Sequence, residues 1–212
     1  MIEATEESQA PAKPRWPWWM YAAFAGAALA GVVVAFVFLR PYTYNGTIIQ
    51  SPDKAPQLDN MFFHTGEPAE LWHFDGEVVV VYFGYTHCPD VCPTTLSAVA
   101  RAKDQLGADA DEVQTLMVSV DPERDTPEAM QDYMAHFDPD SLGVHGDETA
   151  TRQAAMLYGI HVNRNEGTAA SGYTIDHTAS LIGIDTDGFV RIIWPTDVTP
   201  DALAADLEHL LG

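Results

Sequence analysis

The chain has 212 residues, 31 Asp and Glu against 10 Lys and Arg, a formal net charge of −21 and two cysteines. That length suits one globular domain plus an appendage, large enough to bury a core without disulfide staples. So acidic a surface repels nucleic acid and anionic lipid headgroups, so no nucleic-acid partner is expected. Lys13, Arg15 and Arg40 balance Glu3, Glu6 and Glu7, so the excess charge lies in residues 41–212, where it keeps the domain soluble.

Residues 1–17 are polar, contain Pro11, Pro14 and Pro17, and read as a short disordered tail. Residues 18–39 are 22 uncharged positions rich in Ala, Val and Phe. At ~1.5 Å per residue they are long enough to cross a hydrocarbon core of ~30 Å. Trp16, Trp18, Trp19 and Tyr21 form an aromatic belt at one end, and Tyr42 and Tyr44 lie at the other. The run is long for a signal peptide and lacks a small-residue cleavage site near its end, so an uncleaved anchor is expected. Lys13 and Arg15 before the span, with Arg40 after it, put the N-terminus in the cytoplasm by the positive-inside rule. The acidic tail does not suit a mitochondrial transit peptide. The expected location is a bacterial inner membrane, with a single pass and the C-terminal domain in the periplasm.

Residues 40–56 read as an extended linker, with Pro41, Pro52 and Pro56, and residues 57–212 as the folded domain. Residues 69–76 suggest a short strand and turn. Residues 78–83 are a continuous apolar run, as in a strand buried on both faces. A helix over 93–106 follows, then an apolar strand over 114–120. Pro127 opens a helix whose Met130, Tyr133, Met134 and Phe137 lie at core spacing. Residues 142–145 suggest a short strand, and residues 148–158 a helix stopped by Gly159. Residues 160–163 are extended, and residues 163–172 form a polar loop. Residues 179–184 and 189–194, joined by Asp185-Thr-Asp-Gly188, predict a hairpin. A helix over 201–211 ends the chain. The order suits an α/β domain with a central mixed sheet flanked by helices.

Both cysteines lie in Tyr82-Phe-Gly-Tyr-Thr-His-Cys-Pro-Asp-Val-Cys-Pro93, between the buried strand and the helix. Pro93 as first helical residue places Cys92 at the N-cap and Cys88 in the turn before it. The helix dipole there favours thiolate at both sulfurs. Such a pair can bind a soft metal or cycle between dithiol and disulfide. A two-cysteine turn between strand and helix is the thioredoxin arrangement, but here three residues separate the sulfurs instead of two. Thiolates select Cu(I), Zn(II) and iron–sulfur centres, while imidazole adds Cu(II). Zinc in structural sites takes four protein ligands, and two cysteines alone cannot close such a site.

Of eight histidines, His177 is singled out, because this fold puts residues 174–178 opposite the Cys turn. Asp176 beside it is placed to orient the imidazole. His87 adjoins Cys88 but is expected to point away from the sulfurs. Asp121 reads first as a cap for the turn from Asp121 to Pro127, with a role at the metal as the alternative. Two sulfurs and one imidazole make a three-ligand site able to hold either copper state.

The Cys motif, with Val118-Ser-Val-Asp-Pro-Glu-Arg-Asp-Thr-Pro-Glu128 and Asp176-His177-Thr178, closely resembles the Sco/SenC family over about residues 55–212. The resemblance implies a thioredoxin-like fold on an N-terminal transmembrane helix. It also implies copper, as Cu(I) and Cu(II), held by Cys88, Cys92 and His177. The implied function is a copper metallochaperone assisting assembly of the CuA centre of cytochrome c oxidase subunit II. Subunit II and a periplasmic copper donor or thiol reductase are the implied partners. The alternative is a thiol–disulfide reductase keeping the oxidase's copper-site cysteines reduced, with Cys88 and Cys92 as the redox pair. A peroxidase reading fails, since Tyr85 and Pro89 stand where a threonine is wanted, three residues before each cysteine. The segment before the hairpin, rich in glycine and alanine here, departs from the family pattern in a region that bears on partner recognition.

Overall fold

Strand β3 (Val78–Gly84) is buried at all seven positions. Four valines, a tyrosine and a phenylalanine favour an extended strand, and both faces are covered, which explains an apolar run without alternation. It lies inside a seven-stranded sheet with order β1-β9-β8-β3-β4-β5-β2. These are β1 (Thr47–Ile48), β2 (Met61–Phe63), β4 (Val113–Ser119), β5 (Leu142–Gly146), β8 (Ser180–Ile184) and β9 (Val190–Pro195). Pairing is parallel for β3–β4 and β4–β5, and antiparallel for β3–β8, β8–β9, β1–β9 and β2–β5. This is the mixed sheet expected, in a thioredoxin-like arrangement. Helices α2 (Val91–Leu106) and α5 (Pro200–Leu211) pack together, while α3 (Pro127–Ala135) and α4 (Glu148–Leu157) pack on β5.

The computed structural model describes residues 16–39, 42–50, 53–167 and 172–212. The chain divides into two compact units, Met1–Thr43 and Tyr44–Gly212. Within the first, α1 (Trp18–Phe38) contains a stretch, Trp18–Phe36, of mean hydropathy 1.9. It is long and apolar enough to cross a membrane. Apart from Trp16 and Pro17, the expected tail lies outside the described residues.

In the second unit, the extended segment before residue 57 is stitched to the domain. β1 pairs with β9, and Ala55 N donates to Gly188 O at 2.8 Å. The buried Asp206 carboxylate accepts from Asn45 N, Asn45 Nδ2 and Trp194 Nε1, the last at 2.7 Å.

Four expectations change. Residues 71–74 form a 3-10 turn, not a strand, as Leu71 tucks in while the chain turns. β1 and β2 are edge strands too short for a period to register. Helix α2 begins at Val91, with Asp90 at the N-cap, so Cys92 is the second helical residue and Pro93 the third. Any first-turn position tolerates proline, because the first four N–H groups lack intrahelical partners. Finally, residues 163–172 are not simply a loop. β6 (Val162–Glu166) pairs with β7 (Tyr173–His177) as a separate two-stranded ribbon. Residues 168–171 lie outside the described residues.

Candidate metal centre

The site sits where β3 ends, at the C-terminal edge of the parallel strands, the edge at which open α/β sheets place ligands. Asp90 makes no side-chain cap to α2. The Cys88 sulfur takes that place: Cys92 N donates to it at 3.4 Å, and the nearby amides of Asp90 and Val91 also favour its charged form. Burial raises the Cys88 thiol, but these amides and the Cys92 thiol outweigh it and hold it below its ordinary value. Cys92 behaves in the opposite way. It is fully buried, and burial pushes its thiol up to about 12 despite the Tyr82 hydroxyl bonded to it at 3.3 Å. The expectation of thiolate favoured at both sulfurs is therefore corrected for Cys92, where desolvation wins over the helix dipole.

Gly84 is required by this packing. A Cβ there would stand 3.1 Å from Cys92 Sγ and 2.7 Å from Cε1 of Tyr82.

His177 arrives from β7. Its Nε2 lies 3.9 Å from Cys92 Sγ, and its Nδ1 meets Thr178 O at 3.2 Å. Since a carbonyl only accepts, Nδ1 carries the proton and the Nε2 lone pair faces the sulfur. Burial lowers the His177 pKa, which favours the neutral, ligating ring. Tyr82 and Tyr85 meet the imidazole edge-on at 6.1 Å between ring centroids, one at 72° and the other at 82°. Cys92, on its helix, is thus the link: its amide meets the Cys88 sulfur of the preceding loop, and its own sulfur meets His177 of the separate ribbon. Among the described residues, no three His, Cys, Asp or Glu side chains are preassembled around one point. As chemistry the set fits copper: two soft sulfurs for Cu(I), one neutral imidazole for Cu(II).

The other candidates lie outside this group. His87 is exposed, its ring meeting the Thr86 hydroxyl at 3.0 Å. Asp176 is exposed and accepts from Asn165, so the Thr178 carbonyl, not Asp176, orients the imidazole. Asp121 is buried and does hold its turn, its carbonyl accepting from Asp125 N at 3.0 Å. Its carboxylate also accepts from Arg124 and, at 2.6 Å, from the Tyr173 hydroxyl on β7.

Sequence reasoning missed Asp125. Its buried carboxylate accepts from Thr86 Oγ1 and Ser119 Oγ, each at 2.6 Å, and so fixes the Cys loop to β4. It also missed Tyr85 as a link: Ile175 N on β7 donates to the Tyr85 hydroxyl at 3.4 Å. The period-two inward row Tyr173, Ile175, His177, with Thr174 and Asp176 exposed, was the available signal.

Residues 57–212 match the family model described as SCO1/SenC. The human mitochondrial SCO1 homolog is 34% identical over 127 residues, covering 59% of this chain and 42% of that protein. The chain spans about half the length of the curated relatives it matches. The solved structure of Bradyrhizobium japonicum ScoI with copper bound superposes with a TM-score of 0.65 at 34% identity, over 78% of this chain and 98% of that one. The solution structure of apo Sco1 from Thermus thermophilus gives 0.70 at 35%, over 80% of this chain and 98% of that one. With the family model covering the folded domain from residue 57 to the C-terminus, the chain belongs to the SCO1/SenC family.

Proposed function

We propose that this protein is a copper metallochaperone that carries its cargo on Cys88, Cys92 and His177 and delivers it to the CuA centre of cytochrome c oxidase subunit II. The observation that carries this reading is the approach of a neutral imidazole nitrogen to within 3.9 Å of one cysteine sulfur, whose own amide donates to the second sulfur at 3.4 Å. The copper-bound state of the B. japonicum relative supports it. Each donor has its own part. Cys88, half-exposed and more readily ionised, receives the ion first. Cys92 is held against Tyr82 as the inner sulfur. His177 closes the set and accommodates Cu(II). Residues 18–39 anchor the domain in a bacterial inner membrane, with residues 1–17 in the cytoplasm and residues 40–56 leading to a periplasmic domain over 57–212. A periplasmic donor or reductase supplies copper or electrons.

The test is metal analysis with absorption spectra and competition titrations on the wild type, Cys88→Ser, Cys92→Ser and His177→Ala. One copper per chain is expected. Each cysteine variant should lose more than about a hundredfold in Cu(I) affinity, since outer-shell partners alone cost roughly 10–100-fold. His177→Ala should weaken Cu(II) far more than Cu(I). Equal affinities of wild type and His177→Ala for both ions would sink the three-ligand set.

The inequality of the two thiols favours a second reading, a thiol–disulfide reductase acting on the oxidase's copper-site cysteines. Cys88 is then the attacking thiol and Cys92 the buried resolving one. In reduced, metal-free protein, iodoacetamide should label Cys88 at least about tenfold faster than Cys92. Mass spectrometry of timed samples reads this out, and equal rates would remove the basis for the second reading.

A further inference from the structure

Among the described residues, the β6–β7 ribbon makes no backbone ladder with the main sheet. A two-stranded ribbon is marginal alone, so contacts from the body must set its position. Its inward row meets the body at three points: His177 at Cys92, Ile175 N at the Tyr85 hydroxyl, and Tyr173 at the turn after β4.

That turn, Asp121-Pro-Glu-Arg-Asp125, has two sides. On one, Asp125 holds the Cys loop through Thr86. On the other, Arg124 pairs with the buried Asp121, donates to Tyr173 O at 3.2 Å, and stacks its guanidinium 3.7 Å from the Tyr173 ring centroid. Arg164 of β6 lies 3.5 Å from the same centroid and pairs with Glu123 of the turn. Two guanidinium groups at that height cannot share a face, so the ring is held between them. Arg124 also lies 5.7 Å from the centroid of Tyr85, the residue that bonds Ile175 N. One short turn thus grips both halves of the proposed site.

We infer that Arg124 is a positioning residue for His177: by clasping Tyr173 and Asp121 it fixes the ribbon, and with it the imidazole, relative to the sulfurs on the Cys loop. The inference rests on the ligand set proposed above. Arg124 itself touches no donor atom. Lysine cannot replace it, because the planar fork both stacks on the ring and bonds the carboxylate, which a point charge does not.

The experiment is a double-mutant cycle on the full-length chain in detergent, read by Cu(II) and Cu(I) competition titrations and by the Cu(II) absorption spectrum. Arg124→Ala should weaken Cu(II) binding on the order of tenfold and alter its spectrum, while leaving Cu(I) within about twofold. Arg124→Lys should not rescue it. In a His177→Ala background, Arg124→Ala should change neither affinity further, because the residue it positions is gone. Tyr173→Ala, which removes the gripped ring and leaves the Asp121–Arg124 pair, should reproduce the Cu(II) loss and be non-additive with Arg124→Ala. It keeps the test available if Arg124→Ala folds poorly by circular dichroism. An equal Cu(II) loss with and without His177, or full Cu(II) affinity in both Arg124→Ala and Tyr173→Ala, overturns the inference while the ligand set stands. If His177→Ala itself leaves Cu(II) binding unchanged, the ligand set and this inference fall together.

Discussion

The domain contains two antiparallel hairpins, β8–β9 and β6–β7, that share a local form and little else. β8–β9 is inserted in the main sheet between β3 and β1, and its Leu181, Ile182, Ile192 and Trp194 belong to the core. β6–β7 pairs only with itself, and only Ile175 of its ten residues is buried. The first hairpin is held by the hydrophobic effect acting on both faces. The second is held by a few polar and stacking contacts, and it alone carries His177. The teaching is one of division of labour. The core hairpin supplies buried apolar surface to the domain, and the polar ribbon supplies the imidazole of His177. Elements that must move or adapt come from the low-stability end of a structure.

Three measurements probe this contrast, beginning with the largest effect. Trp194→Ala, in the core hairpin, deletes a fully buried ring and the hydrogen bond from its Nε1 to Asp206. Urea unfolding should show a loss of about 3–5 kcal/mol. A loss below about 1 kcal/mol would mean that β8–β9 is no more structural than the ribbon.

Asp138, in the turn between α3 and β5 and so in neither hairpin, gives the intermediate case, a polar contact in the main body read through pH. Burial raises its carboxyl, but the Lys103 ammonium at 2.6 Å and the bonds from Asp140 N and Ser141 outweigh this and hold it below the ordinary range. A depressed folded pKa contributes stability that is present above the unfolded value and lost as pH falls through the folded one. Asp138→Asn should therefore cost roughly 1.5–3 kcal/mol at neutral pH. The cost should shrink as the unfolded-state pKa of about 3.9 is passed downward. Urea midpoints at several pH values give the curve, and a pH-independent difference would contradict the assignment.

The smallest effect belongs to the ribbon. Val162→Ala, at an exposed position of β6, should change global stability by less than about 0.5 kcal/mol. Amide hydrogen exchange should nonetheless quicken in β6 and β7 while β8 and β9 stay protected. Quickening in all four strands would show that the ribbon and the core unfold as one unit.

The same contrast explains what could be read from the sequence. β3 declared itself as an unbroken apolar run, and β8–β9 as two apolar strands about an Asp-Gly turn. Gly159, at a φ of +69° just past α4, marked that helix's end. These signals are local and come from burial. Most of β6 was read as part of a polar loop, because Val162-Asn-Arg-Asn-Glu166 buries too little for a period to appear. Likewise Asp121 was legible as a turn residue, but Tyr173, which shares its carboxylate, lies 52 positions away. At the site, the cysteines and His177 were legible as residue types in a motif. The inequality of the two thiols was not, since it depends on which sulfur the fold buries.

The sulfur of Cys88 has a further consequence through its place at the start of α2. It accepts from the amide of Cys92 and has its charge favoured by the amides of Asp90 and Val91, in a helix whose N-cap residue offers no side chain of its own. Whatever engages that sulfur draws on the electron pairs those amides use. The first turn of α2 is thus a built-in reporter: its amide proton resonances should move when the sulfur is metallated, oxidised or alkylated. The state of one atom becomes readable along a helix end, with no label added to the protein.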